Sequence, residues 1–254
     1  MYEYPNSEAG TNQKEKFIRD IEFLNYHINH DKWRWFMHQH PQMAHRWEDD
    51  FDAWDSEHYN ISTTENGSGN ASEAITDMVN GVLLITNDDA DNDNDEITLQ
   101  GESWKLLTGY PLYAEIRFKL SDATQSDFWF GLITGTTFFT APNDYVVFKK
   151  DDGDVNLDFA VAKDGTGSDT DTTVDLADGV WKIVGFHFDG NGTIRWFVFT
   201  DGDEPQTCAA NGSVTANIPD DEELTLGFGL QNGEGAAKAL YVDYIYCAQR
   251  RVRE

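Results

Sequence analysis

The densest concentration of chemistry-bearing side chains is the run Asn87 to Glu96, NDDADNDNDE, which sets Asp88, Asp89, Asp91, Asp93 and Asp95 within eight positions. Hard carboxylate and amide oxygens at this density suit Ca²⁺, with Asp89, Asp91, Asp93 and Asp95 as the weak ligand candidates. The run lacks the fixed glycine and the closing bidentate glutamate of an EF-hand, so it is read as a solvated charged loop. Imidazole forms a second concentration: His27, His30, His38, His40, His45 and His58, six of the seven histidines, fall within 32 residues. His38 and His40 could chelate a transition metal from one strand face, but no Cys or carboxylate completes a recognised spacing. These histidines are therefore expected at an interface, and neither a metal site nor a cofactor is assigned.

Other chemistries find no motif. There is no Gly-x-Ser-x-Gly elbow, no phosphate-binding loop and no Cys-x-x-Cys. Cys208 and Cys247 are too few for a disulfide framework and are expected as reduced thiols. Asn-x-Ser/Thr sequons begin at Asn60, Asn66, Asn70, Asn191 and Asn211 and are read as turn chemistry. Met1 to Gly10 has no basic stretch followed by an apolar one, so no secretory leader is expected.

Aromatic side chains offer a different chemistry, stacking on sugar rings. Trp54, Trp104 and Trp129 have this capacity, but large aromatics in a sandwich of this size are expected to fill its core. Phe138 and Phe139 differ, because they sit in a turn-rich segment between Thr137 and Thr140 ahead of Pro142. A loop-borne apolar pair of this kind is expected to be a surface contact.

The elements that position these residues are strands. Leu112, Ala114, Ile116, Phe118 and Leu120 alternate with Tyr113, Glu115, Arg117 and Lys119, the period of a strand with one buried and one wet face. The same alternation recurs from Val155 to Val161, Ile194 to Val198, Leu224 to Leu230 and Leu240 to Tyr246. Strands are also expected at Phe51 to Trp54, Val82 to Thr86, Ile97 to Leu99, Phe128 to Ile133, Tyr145 to Lys149 and Trp181 to Phe188. Asp-Gly and Asn-Gly turns separate several of them, and residues 60–73, Asn87 to Glu96 and Asp164 to Asp171 are read as polar loops. The pattern predicts an all-β, two-sheet antiparallel jelly-roll sandwich over residues 48–254.

Residues 1–47 do not share that pattern. Phe17, Ile21, Leu24 and Ile28 recur at helical spacing, and Trp33, Trp35, Phe36 and Met37 crowd into five positions. This helical and extended arm carries six basic and six acidic residues, whereas residues 48–249 carry nine basic and thirty-nine acidic ones. So much aromatic area needs a cover, and these eight residues are the expected partner-binding set. A net charge of −28 argues against nucleic acid or an anionic membrane as partner. The basic run from Gln249 to Arg253 either pairs with a neighbouring acidic surface or ends the last strand in solvent.

The segment Gly109-Tyr110-Pro111-Leu112, followed by Glu115, Arg117 and Lys119, resembles the lead-in to a core strand of concanavalin A-like (laminin-G-like) jelly rolls. A narrower resemblance, to a group of tailed-phage virion structural proteins of that fold, is carried by Glu48 to Phe51, Gly81 to Asn87 and Pro111 to Asp122. It continues at Lys149 to Asp154, Asp175 to Gly179, Ile218 to Leu224 and Gln231 to Glu234. It spans residues 48–249 and leaves out the arm. This resemblance implies a capsid decoration or auxiliary protein on the virion exterior, assembled in the host cytoplasm. The implied partners are the major capsid protein and copies of itself, as a trimer.

Two other functions share this fold. One is a receptor- or glycan-binding module of a fibre or tail appendage. The other is a laminarinase-type hydrolase, whose two carboxyls must lie about 5 to 5.5 Å apart. In those hydrolases they come from a Glu-x-Asp-x-x-Glu or Glu-x-Asp-x-Glu strand. Phe128 to Ile133 and Tyr145 to Lys149 contain no carboxylate, so the chain is not expected to be an enzyme.

Overall fold

In the computed structural model, which describes residues 44–140, 142–200 and 208–251, strand alternation builds two stacked antiparallel sheets. The strands are β1 (Ala44–Asp49), β2 (Tyr59–Thr64), β3 (Ser72–Ile75), β4 (Leu83–Thr86) and β5 (Asn94–Leu99). They continue with β6 (Leu112–Leu120), β7 (Ser126–Ile133), β8 (Tyr145–Lys150), β9 (Asn156–Lys163) and β10 (Thr166–Asp175). The last are β11 (Lys182–Phe188), β12 (Ile194–Thr200), β13 (Ala210–Val214), β14 (Thr225–Asn232) and β15 (Ala239–Arg250). A single 3₁₀ turn, Ser56–His58, precedes β2. No described helix is long and apolar enough to cross a membrane.

One sheet runs β13-β12-β11-β6-β15-β4-β3, with β1 added along the second half of β15. The other runs β10-β9-β8-β7-β14-β5-β2. Neighbours in sequence are often not neighbours in the sheets: β6 lies between β11 and β15, and β14 between β5 and β7. Such crossings between sheets are the jelly-roll connection.

The inward rows supply the core. Ile116 and Phe118 of β6, Phe128 and Phe130 of β7, Phe159 of β9, Phe186 of β11, Leu226 and Phe228 of β14, and Ile245 of β15 are buried in one apolar cluster. Phe118 stacks on Phe128 across the two sheets at 3.9 Å between ring centres. Burial of a side chain of this kind contributes about 1.5–3 kcal/mol, so this interface dominates the stability of the fold.

Several expectations need correction. Phe51 to Trp54 is not a strand, because Phe51 takes a positive φ of 51° and Asp49 Oδ1 accepts its N–H at 2.8 Å, turning the chain inward. The segment 60–73 is not one polar link, since it contains β2 and the start of β3. Asp164 to Asp171 lies mostly in β10, an edge strand whose outward positions tolerate charge. The eight-stranded sheet also takes in residues 44–47, which composition had placed with the arm. Finally, the outer face of β6 is not wet throughout. Tyr113 and Glu115 are buried, and the hydroxyls of Tyr113 and Tyr244 both donate to Glu115, the latter at 2.6 Å.

Candidate functional site

The registers of the seven-stranded sheet place one row of side chains across its outer face. From β10 to β2 the row reads Asp171, Asp158, Lys149, Trp129, Gly229, Glu96 and Ser62. The next row, one pleat along, carries Val147, Gly131, Gly227 and Thr98 at its centre. Together they form a floor with one large indole beside a strip of glycines.

Close approach requires the glycine at Gly131 and leaves little room at Gly229. A Cβ on Gly131 would lie 2.1 Å from the Val146 carbonyl oxygen, and one on Gly229 would lie 3.0 Å from the Phe139 ring. The second contact shows what fills the strip. The segment between β7 and β8 folds back over the sheet, and Glu96 accepts the backbone N–H groups of Phe138 and Phe139, the latter at 3.1 Å. Burial raises the Glu96 carboxyl above its usual range, and those two N–H groups oppose the rise.

Phe138 is consequently fully buried with Ile133, Val147 and Ala160, and it is not a surface contact of this chain. Phe139 keeps partial exposure beside it. The rings of Phe138, Phe139 and Tyr145 all meet Trp129 edge-on, at centroid separations of 6.2, 6.3 and 5.7 Å. Lys149 Nζ lies 5.8 Å from the Trp129 ring centre and is fixed by Asp169 at 2.7 Å and Asp151 at 3.7 Å. Asp127, at the start of β7, is pushed up to about 6 by burial, with the Asp152 N–H opposing and the charges of Asp152 and Asp151 adding. β7 thus brings one carboxylate to this face, outside the segment Phe128 to Ile133, and carries no Glu-x-Asp-x-x-Glu run.

The other aromatic candidates separate cleanly. Trp104 is core, and Trp54 stacks on Tyr59 at 5.1 Å. His45 packs on Trp104 at 4.3 Å while His58 approaches Asp55 at 3.9 Å, so these two histidines are not gathered into one ligand set. Cys208 and Cys247 are free, and burial pushes the Cys247 thiol well up. Phe17, Ile21, Leu24, Ile28, Trp33, Trp35, Phe36 and Met37, with His27, His30, His38 and His40, lie outside the described residues.

The acidic run is divided by the structure. Asp89 and Asp91 are exposed, whereas Asp93 and Asp95 are fully buried, so the run is not one solvated loop. Its C-terminal part, Asn94 to Glu96, begins β5 and pairs on both sides. Among the described residues, Asp93 joins Asp88 and Glu65 in one group of carboxylates close enough to share a metal ion. Glu65 carried no signal in the sequence, because it reaches this group only through the pairing of β2 with β5.

No protein-family model and no curated protein matches the sequence. Solved structures do. Peanut lectin with a 9mer peptide aligns at a TM-score of 0.57 and 10% identity, over 83% of this chain and 99% of that one. The endo-1,3-β-glucanase from Streptomyces sioyaensis aligns at 0.56 and 13% identity, over 84% and 99%. The CBM2 module of the evolved Dit of Lactobacillus casei BL23 phage J-1 aligns at 0.53 and 10% identity, over 84% and 98%. Likeness at such low identity speaks to fold and leaves function to the site. The described chain is an all-β, two-sheet sandwich with the concanavalin A-like jelly-roll fold.

Proposed function

We propose that this chain is a non-enzymatic structural protein of a tailed-phage virion, a decoration or auxiliary protein of the capsid exterior. Residues 1–47 attach it to the major capsid protein and to copies of itself as a trimer, and the acidic sandwich faces solvent. The observation that carries the non-enzymatic part is the filled outer face of the seven-stranded sheet. Where a retaining glucanase needs two facing carboxyls and an open cleft, this face has Trp129, a glycine strip and the Phe138 segment lying on it. The likeness to a phage Dit module supports a virion setting. Attachment rests on the aromatic content of the arm, because a few buried Trp or Phe anchors, each contributing about 1.5–3 kcal/mol, give firm docking.

Purified virions of the encoding phage are expected to contain the protein in hundreds of copies, as the symmetry of a shell requires. Deletion of residues 1–43, which leaves β1 whole, is expected to abolish incorporation. Absence from purified particles, or undiminished incorporation of the deletion variant, refutes this reading.

A second reading, a glycan-binding module of a fibre or tail appendage, is favoured by one feature. Trp129, Phe139 and Tyr145 remain partly exposed as an aromatic patch beside Lys149, and the fold is shared with a lectin. On a glycan array the full-length protein is expected to show no saturable sugar binding. Specific binding that is lost in Trp129→Ala would replace the first reading with the second.

A further inference from the structure

The outer face of the eight-stranded sheet is dry over the part that adjoins β1. From β12 to β1 its registers set out the row Phe197, Gly185, Glu115, Tyr246 and Glu48. The row one pleat along reads Arg195, His187, Tyr113, Ala248 and Arg46. Phe197, Phe199, Tyr113, Tyr246, Ala248 and Ala44 form an apolar patch distinct from the core between the sheets, and Ala44 at 4% is the most exposed of them. Glu115 and His187 in the same rows are buried as well.

These side chains cannot bury one another so completely. The Phe197 ring lies over Gly185, where a Cβ would fall 2.5 Å from its Cζ. Tyr113 lies nearly parallel to Phe197 with ring centres 5.8 Å apart, and Tyr246 meets Tyr113 edge-on at 6.1 Å. Contacts within one sheet face shield the undersides and edges of such rings and leave open the sides turned away from the sheet, so a further layer must lie on them. That layer is local. Further along the same face Trp181, Lys119, Tyr241 and Leu84 keep partial exposure.

The cover belongs to the same chain, because this burial is that of one chain alone. Among the described residues, the other apolar side chains packed on the patch are Ile183 of β11 and Cys208 at the edge of the same sheet, and neither lies above it. The remaining segments are 1–43, 201–207 and 252–254, with Ala141 belonging to the β7–β8 connection on the opposite sheet. Residues 201–207 read DGDEPQT and 252–254 read VRE, compositions that cannot seal aromatic rings from water.

The arm has both the chemistry and the reach. It ends at Ala44, itself a member of the patch, and its aromatic group Trp33, Trp35, Phe36 and Met37 lies seven to eleven positions upstream. Seven residues span up to about 24 Å, whereas the five strands from β1 to β12 cover about 19 Å. Residues 1–43 carry five basic and six acidic side chains, so the strongly acidic sandwich does not repel them.

We infer that Trp33, Trp35, Phe36 and Met37 cover this patch, seating the root of the arm on its own sandwich as a third layer. The inference goes beyond the capsid reading and does not depend on it. It divides the arm into an aromatic root held by the sheet and a more distal face, Phe17, Ile21, Leu24 and Ile28, left for a partner.

Photo-crosslinking of the isolated full-length protein tests this without any virion. Trp35→p-benzoylphenylalanine keeps an aromatic side chain at the position, and the products are mapped by mass spectrometry in a dilute mixture of light and isotopically heavy protein. Crosslinks are expected to Tyr113, Phe197 or Tyr246 within chains of one label, with Leu24→p-benzoylphenylalanine giving none to these residues. Should the Trp35 variant fail to fold, the same replacement of Met37 serves. Crosslinks that miss the patch, that join light to heavy chains, or that are equally frequent from position 24 overturn the inference. A protein that shows the expected crosslinks yet is absent from virions refutes the capsid reading alone.

Discussion

Gly131→Ala is expected to destabilise the protein by about 4 kcal/mol or more, enough to leave little folded material. The new Cβ would meet the Val146 carbonyl oxygen at 2.1 Å and the Val147 Cα at 2.8 Å, both backbone atoms of the neighbouring strand. Neither can rotate away, so β7 and β8 must separate at the centre of the seven-stranded sheet, where Gly131 also pairs with Gly227 of β14. Its φ of +152° adds strain for any residue with a side chain. Gly153→Ala provides the control. Gly153 has a φ of +75°, but its Cβ would meet nothing within 4 Å, so only the conformational penalty of about 1 kcal/mol applies. Urea unfolding of both variants measures the difference. Similar losses would mean that β7 and β8 have room to spare at Gly131.

That glycine also separates what alternation makes legible from what it does not. β6 and β14 are visible in sequence because inward positions such as Ile116, Phe118, Leu226 and Phe228 are apolar at every second residue. The start of β5 is hidden for the opposite reason. Asp93, Asp95 and Glu96 look like solvent-facing residues, yet each is buried against specific donors: the N–H groups of Asn66 and Ala90, the Thr63 hydroxyl, and the N–H groups of Phe138 and Phe139. Composition cannot distinguish a carboxylate hydrated in a loop from one hydrogen-bonded in a sheet, because partners far away in the sequence decide it. Phe138 fails by the same logic in reverse. Its apolar ring in a turn-rich segment suggests an outside partner, but the partner is Trp129 on its own sheet. Glu115 combines both failures, a charged residue on a nominally wet face that two tyrosine hydroxyls enclose.

Asp95→Asn is expected to remove most of the fall in stability that the protein shows between pH 6.5 and 8. Native Asp95 keeps its proton to about pH 8, whereas in the unfolded chain an aspartate loses it near pH 4. Over that interval the folded state binds the extra proton, so stability decreases as pH rises. His187, held down to about 4 by burial and the Arg195 charge, acts in the opposite sense, but only below its ordinary value of 6.5. Asp127, raised to about 6, has released its proton before this window begins. A single retained proton gives a slope of about 1.4 kcal/mol per pH unit, hence roughly 2 kcal/mol across the window. Asparagine removes the titration while keeping an oxygen for the Thr63 hydroxyl and offering Glu73 an N–H in place of the proton. Urea unfolding at pH 6.5, 7.25 and 8 checks this, and equal slopes for the two proteins would place the titrating group elsewhere.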